Sequence, residues 1–460
     1  MSSTERRIKD FLKSHGVEVY GLAGPDRLIG PPSLSPSYIM PKARSIVSFA
    51  LPMDTDAIHA FLGKTNPAPH NLDQIRGNQG TYRLAAHLAG YIRSLGYDAL
   101  EVASNNRYRR TPDVFATVPD FSHRFGAIAA GIAAQGWSGN VKCDEYGAAM
   151  YLGTVVTRAV LRSDPPRYAP RHYIDGQCAG CKMCVQGCVA RMFGEEEEEY
   201  VLISGSLHPR GRRRGIDLCN AACFGLHSLS PDRKWTTWGT QWIQEWVGRV
   251  PDADNKASLR AAMLAKAATV GDSTPRFDLI RRIGADLHPR EVIDAYVDQN
   301  PERLNEPDRF RLLENFARTL GVTRSGDIQD ERVLTCGHCA MICGPTKAET
   351  ARRFKALRNG GLVAPGPGGQ AVVVPTFEEA QALRLKYMPG VRPSEMALDA
   401  AVSAMLWHKL YFGVEPRSLA RGAMYRARLA RAIRKRAPGH KDFGKTRKQR
   451  VFRTAAQPPA

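Results

Sequence analysis

The chain has 460 residues, 43% hydrophobic and 24% charged. That composition belongs to a folded protein, and the length exceeds one ordinary core, so two or three domains are predicted. No run of eighteen or more uncharged apolar residues is present, which argues against a transmembrane helix. The net charge is +20, and from Lys409 to Ala460 fifteen Lys/Arg stand against two acids. Such an extension predicts a solvated tail or a surface for nucleic acid or another acidic partner.

In chain order, "MSSTERRIKDFLKSHG" predicts a polar helix. Its Arg6-Arg7 pair is not followed by an apolar segment, so no secretory leader is expected and a cytoplasmic location is. "ARSIVSFALPM" (43–53) predicts a strand ended by proline. "TYRLAAHLAGYIRSLGYDALEV" predicts a helix to Leu95, a cap at Gly96 and a strand over 98–103. "HRFGAIAAGIAAQGW" (123–137) reads as a small-residue helix, and "AAMYLGTVVTRAVL" (148–161) as another strand. Residues 1–170 hold neither GxGxxG nor GxxxxGK[ST], so dinucleotide and P-loop sites are not supported. "DPPRYAPRHYIDGQ" (164–177) predicts a linker, and the five glutamates 195–199 a solvated loop. Residues 240–330 read as helical. A helix ended by Gly360-Gly361 and a Gly/Pro-punctuated strand region follow the last cysteine run.

Seven of the ten cysteines fall in two tight runs. In a reducing compartment this favours metal over disulfides. The first run, "CAGCKMCVQGC", is C-x2-C-x2-C-x3-C: Cys178, Cys181, Cys184 and Cys188. Three close thiolates can wrap one cluster while the fourth reaches another, which points to 4Fe–4S clusters. Zinc would more simply take two C-x2-C knuckles. The second run, "CGHCAMIC", holds Cys336, Cys339 and Cys343. Two-cluster ferredoxin logic groups Cys178, Cys181 and Cys184 with Cys343, and Cys188 with Cys336, Cys339 and one thiol of "CNAAC", either Cys219 or Cys223. Cys143 is left as a small packing residue.

The order of these motifs resembles the epoxyqueuosine reductases and the cobalamin-dependent reductive dehalogenases. "MPKARSIVSFALPM", "GYDALEV", "DFSHRFGAIAAGIAAQGWSGN" and "EYGAAMYLGTVVTRAVL" precede the cysteine framework as they do in that superfamily. The likeness spans roughly residues 35–225 and 333–345. It implies an α+β architecture: a nitroreductase-like cobalamin-binding domain (1–170), then a bacterial two-cluster ferredoxin-like domain (171–350) with a helical insertion at about 235–330. A C-terminal extension with a basic tail (351–460) completes the expected organisation. Two 4Fe–4S clusters and cobalamin are the implied cofactors. Asp120 matches the proton donor proposed for the reductases, although an Asp ahead of a helix also suits an N-cap. His123 and Arg124 could meet a substrate or corrin amides. Gly136, Trp137, Gly139, Tyr146 and Gly147 would line the corrin. The apolar-polar run after Cys223 favours Cys223 as the eighth ligand.

The implied activity is reductive cleavage of a C–halogen or C–O bond in a small organic substrate, fed by a low-potential donor such as ferredoxin or flavodoxin. Epoxyqueuosine in tRNA is the alternative substrate. A ferredoxin-like carrier with no substrate of its own is the alternative of another class. Two departures bear on the choice: Asn140 stands where the superfamily's Gly-Trp-x-Gly-Lys has its lysine, and over 100 residues separate Cys223 from Cys336.

Overall fold

The computed structural model describes residues 3–103, 119–215, 219, 222–223, 227–240, 242, 336–367, 370–387, 424, 427–428 and 431. The expected helical stretch 240–330 and the basic tail lie almost wholly outside the described residues.

Helix α1 (Ser3–Ser14) is amphipathic and buries Ile8 and Leu12. Strands β1 (Val19–Ala23) and β2 (Ser45–Pro52) come next. They are followed by α2 (Thr55–Leu62), α3 (Ala68–Ser94) and the short strand β3 (Ala99–Glu101). Helix α3 ends as its sequence predicts: Gly96 takes φ +92°, a conformation that stops a helix without steric cost. A four-stranded antiparallel sheet has the order β1-β2-β6-β3, where β6 is Met150–Thr157. Pro52, which has no N–H to give a ladder, closes β2 opposite Met150.

Both faces of this sheet are covered, so its central strands β2 and β6 are largely buried rather than alternating between buried and exposed. Val47, Phe49 and Val155 face α1 and α3, packing on Leu88 and Ile92. Ile46, Ala50 and Val156 face the opposite layer, which contains α4 (His123–Ala129) and the first cysteine run. The cysteine-bearing segment therefore shares a hydrophobic core with the first 170 residues. The predicted linker is part of that core. Tyr168, Tyr173 and Ile174 are buried. Tyr173 Oη donates to Asp144 at 2.8 Å, and Tyr168 Oη accepts from the Asp144 N–H at 3.0 Å. Prolines space this segment, but its aromatic residues tie it down.

Two further readings are corrected. Helix α4 stops at Ala129 instead of running to Trp137: Gly131 takes φ +78°, and a tight hairpin replaces the helix. That hairpin pairs β4 (Ala134–Gln135) with β5 (Val141–Lys142) and carries Gly136–Asn140 at its tip. The five glutamates do not form a loop. They lie in β7 (Phe193–Ile203), paired antiparallel with β8 (Ser206–Arg213). Arg212 pairs with Glu197, Arg210 with Glu199 at 2.7 Å, and Arg171 with Glu198. Opposite charges on facing strands offset the repulsion that a run of one sign suggests in isolation.

Between these elements lie two one-turn helices, α5 (His172–Asp175) and α6 (Met183–Gln186). The second cysteine run surrounds α7 (His338–Met341), and α8 (Lys347–Asn359) follows. Thr346 caps α8 by accepting the Glu349 N–H at 3.1 Å, and Gly360-Gly361 ends it as expected. The Gly/Pro-punctuated region is a hairpin of β9 (Leu362–Pro365) and β10 (Ala371–Val374), packed by α9 (Phe377–Tyr387).

Candidate metal centre

All ten cysteines are unbridged. The first run is shaped by short local bonds. The Cys178 N–H donates to Tyr173 O at 2.7 Å, and the Cys181 N–H to Cys178 O at 3.1 Å. Gly180 and Lys182 both sit at positive φ, so the chain curls tightly before Cys184 on α6. Cys343 arrives from the second run and is clamped by the segment before β6: its carbonyl accepts the Ala148 N–H at 2.8 Å. A small cavity is lined by Cys178, Cys181, Cys184 and Cys343 together with Trp137 and Lys142.

These thiols are hard to ionise alone. Burial, partly offset by Lys142, pushes Cys343 up to about 11. Burial also raises Cys178, and it raises Cys184 well above an ordinary thiol, with Cys343 and Cys178 adding to the effect. The remaining thiols form a second neighbourhood. Cys188 is pushed up to about 12 by burial first, with Cys339 and Cys223 contributing. Cys336 is raised well above the usual range by burial first, then by Cys223, with Cys339 and Cys188 adding smaller effects. Cys219 lies 3.9 Å from Cys223, and its hydrogen bond to that thiol is the largest cause of its own upward shift. Closely spaced thiols that resist ionisation become thiolates when a metal takes the proton's place.

Among the described residues, no group of three or more His, Cys, Asp or Glu side chains is arranged to hold a single metal ion. A 4Fe–4S cluster spreads its four thiolates around a larger body than one ion does. The donor set suits that body, and so does its electrostatics. Lys142 is 1% exposed, and among the described residues it makes no ion pair. Its ammonium donates to Gln177 Oε1, shares the cavity wall with Cys343 and lies 4.7 Å from the Tyr173 ring centroid. An ammonium this deep needs negative charge beside it. A cluster held by four thiolates is net negative and would supply it.

The residues named for a corrin are closely packed against protein. A Cβ on Gly136 would meet Lys142 and Asn140, one on Gly139 would meet Arg213 and Arg210, and one on Gly147 would meet the Cys343–Gly344 backbone. Protein, not open space, covers all three. Trp137 is buried, donates its indole N–H to Gly194 O at 2.8 Å and carries the Lys182 ammonium over its ring. Tyr146 Oη donates to Glu18 at 3.2 Å. Of these residues, Gly136 and Trp137 border the cysteine cavity.

Asp120 is half-buried just ahead of α4. It is not the cap: Ser122 is, accepting the Phe125 N–H at 3.3 Å. His123 keeps some surface, yet both ring nitrogens are bonded. Nε2 faces Ala103 O and so carries the proton, leaving Nδ1 to accept from Thr154 Oγ1 at 2.8 Å. Burial lowers it to about 4, so the ring is held neutral at ordinary pH. Cys143 is fully buried against Met150 Sδ at 3.8 Å, as a packing residue would be.

Reading the sequence missed Asn140 and Lys142 as partners of the thiols. Asn140 Nδ2 donates to Cys339 Sγ at 3.1 Å. The available signal was "GWSGNVK", where a lysine stands two places beyond the superfamily's position. It also missed His338, whose Nδ1 lies 3.1 Å from Cys336 Sγ.

Gly147 gives a direct check on this arrangement. It sits at φ +63° with the Cys343–Gly344 backbone 2.3–2.5 Å from where a Cβ would be. Gly147→Ala is expected to cost about 1–2 kcal/mol from backbone conformation alone. It should also displace Cys343, so that both melting temperature and bound iron fall. Unchanged iron content would contradict the clamp.

An epoxyqueuosine reductase of Bacillus cereus is 27% identical over 161 residues, 34% of this chain and 37% of the relative. The chain resembles the epoxyqueuosine reductases. It spans little more than a third of the length of that relative. No protein-family model matches. Among solved structures, a catabolic reductive dehalogenase overlaps 46% of this chain and 28% of its own at TM-score 0.35 and 12% identity. The epoxyqueuosine reductase of Bacillus subtilis overlaps 77% and 98% at TM-score 0.33 and 14% identity. That of Streptococcus thermophilus overlaps 88% and 98% at TM-score 0.32 and 14% identity. All three scores lie below 0.5, so superposition does not establish a shared fold. Among the described residues, no helix is long and apolar enough to cross a membrane.

Proposed function

We propose that this chain is an iron–sulfur reductase of the epoxyqueuosine reductase and reductive dehalogenase type. The observation that carries this reading is the interleaving of two cysteine runs, about 150 residues apart, into two thiol neighbourhoods. Cys178, Cys181, Cys184 and Cys343 would hold one 4Fe–4S cluster. Cys188, Cys336, Cys339 and Cys223 would hold the other. The two candidate thiols lie 3.9 Å apart, and Cys223 is preferred to Cys219 for the apolar-polar run that follows it.

When bound, the clusters supply single electrons at low potential. The chain's own residues do the rest. The shared core fixes one neighbourhood against the other, the β4–β5 hairpin covers the first, Asn140 donates to Cys339 and Lys142 lines the cavity of the first. Asp120, half-buried near the start of α4, is the proposed proton source for a reductive C–O or C–halogen cleavage. Cobalamin rests on the sequence resemblance alone, and no step is assigned to it. The net charge of +20 favours a polyanionic substrate such as tRNA over a small neutral one.

Anaerobic purification with iron and cobalt analysis and visible spectroscopy tests this reading. About eight iron atoms per chain are expected from two clusters. Zinc in their place, or no iron, would overturn it. Full iron with no corrinoid uptake after reconstitution would favour the carrier alternative. tRNA affinity that fails to weaken with salt would count against the nucleic-acid substrate.

A further inference from the structure

The β4–β5 hairpin treats the two thiol neighbourhoods differently. Its tip gives an uncharged amide to one: Asn140 Nδ2 to Cys339 Sγ. Its second strand gives a charge to the other. Lys142 lines the same cavity as Cys178, Cys181, Cys184 and Cys343. The ammonium is held in place on several sides. Gln177 accepts its proton through Oε1 and uses its own Nε2 to bind Gly344 O at 3.2 Å, so one side chain fixes both the lysine and the turn after Cys343. The Tyr173 ring lies beside it. A second lysine, Lys182, serves the same neighbourhood over Trp137 but is only half-buried.

Reducing a cluster adds one negative charge to a site already negative. A cation at 1% exposure, unscreened by water, favours the more negative state far more than a half-buried one does. Hydrogen bonds to cluster sulfurs act in the same direction. We propose that Lys142 sets the reduction potential of the cluster carried by Cys178, Cys181, Cys184 and Cys343, holding it more positive than its thiolate shell alone would. The proposal deepens the iron–sulfur reading and rests on it. It also gives the displaced lysine of "GWSGNVK" a role: with Asn140 at the superfamily's lysine position, the charge moves two residues along the hairpin to the other thiol group.

The test is an anaerobic potentiometric titration followed by electron paramagnetic resonance, with iron counted in every sample. Wild type, Lys142→Gln, Lys142→Arg and Lys182→Gln are compared as full-length holoprotein. Wild type without two cluster signals would overturn the iron–sulfur reading itself, before Lys142 is tested. With both clusters present, Lys142→Gln should move one midpoint to more negative potential and leave the other in place. Lys142→Arg should keep that midpoint near wild type, and Lys182→Gln should shift it less. Unchanged midpoints in iron-replete Lys142→Gln would overturn the proposal. So would loss of the same cluster in the Gln and Arg variants alike, which would mark Lys142 as a packing residue only.

Discussion

Cys343→Ser is expected to lower bound iron from about eight atoms per chain towards about four, although Cys343 lies about 155 residues beyond the first run. The reason is geometric. Cys343 lines the same cavity as Cys178, Cys181 and Cys184, so removing it should empty that site while Cys336 and Cys339 keep the other. Cys188→Ser should do the converse, removing the second cluster and leaving the first, although it belongs to the first run by sequence. Cys143→Ser, whose thiol packs on Met150, should leave iron unchanged. Iron counting with electron paramagnetic resonance on the three variants checks all of this. Complete retention of the first cluster in Cys343→Ser would refute the crossed arrangement.

Acid should destabilise the fold before ordinary carboxylates begin to protonate. His208 and His227 are each 6% exposed, and burial lowers both to about 4. In each, the buried Nδ1 has no hydrogen-bond partner, so a second ring proton would have nowhere to donate. His123 is lowered to the same value. An unfolded histidine takes up its proton near pH 6.5. Between about pH 6.5 and about 4 the unfolded chain therefore binds more protons, and stability falls as pH falls through that window. Each group contributes at most on the order of 3 kcal/mol. Urea midpoints at pH 7.5, 5.5 and 4.5 should decline in wild type. The decline should be shallower in His227→Gln, whose amide can still donate to Val189 O but does not titrate. Equal slopes in the two proteins would rule out His227 as a contributor.

Most of the local structure was legible because it rests on local causes. The strand ending at Pro52, the cap after Leu95 and the close of α8 at Gly360-Gly361 all follow from residues that either cannot continue an element or stop one cheaply. The misreadings share another cause. The glutamate run looks like a loop until the arginines of β8 lie opposite it. The segment 164–177 looks like a linker until Tyr168 and Tyr173 find Asp144. The helix expected over 123–137 breaks at Gly131, where Pro165 and Pro166 pack against the chain. In each case a partner distant in sequence changed the outcome.

The cysteine chemistry divides in the same way. Residue types and spacing alone give the expectation that the thiols act in sets of four and that neither run can complete two sets by itself, because the number of ligands a cluster needs is a property of the cluster. Only the tertiary structure decided what surrounds those thiols: a buried lysine beside one neighbourhood and an asparagine amide on the other. Those neighbours act through distance and burial, and the linear order of residues encodes neither until the chain is folded.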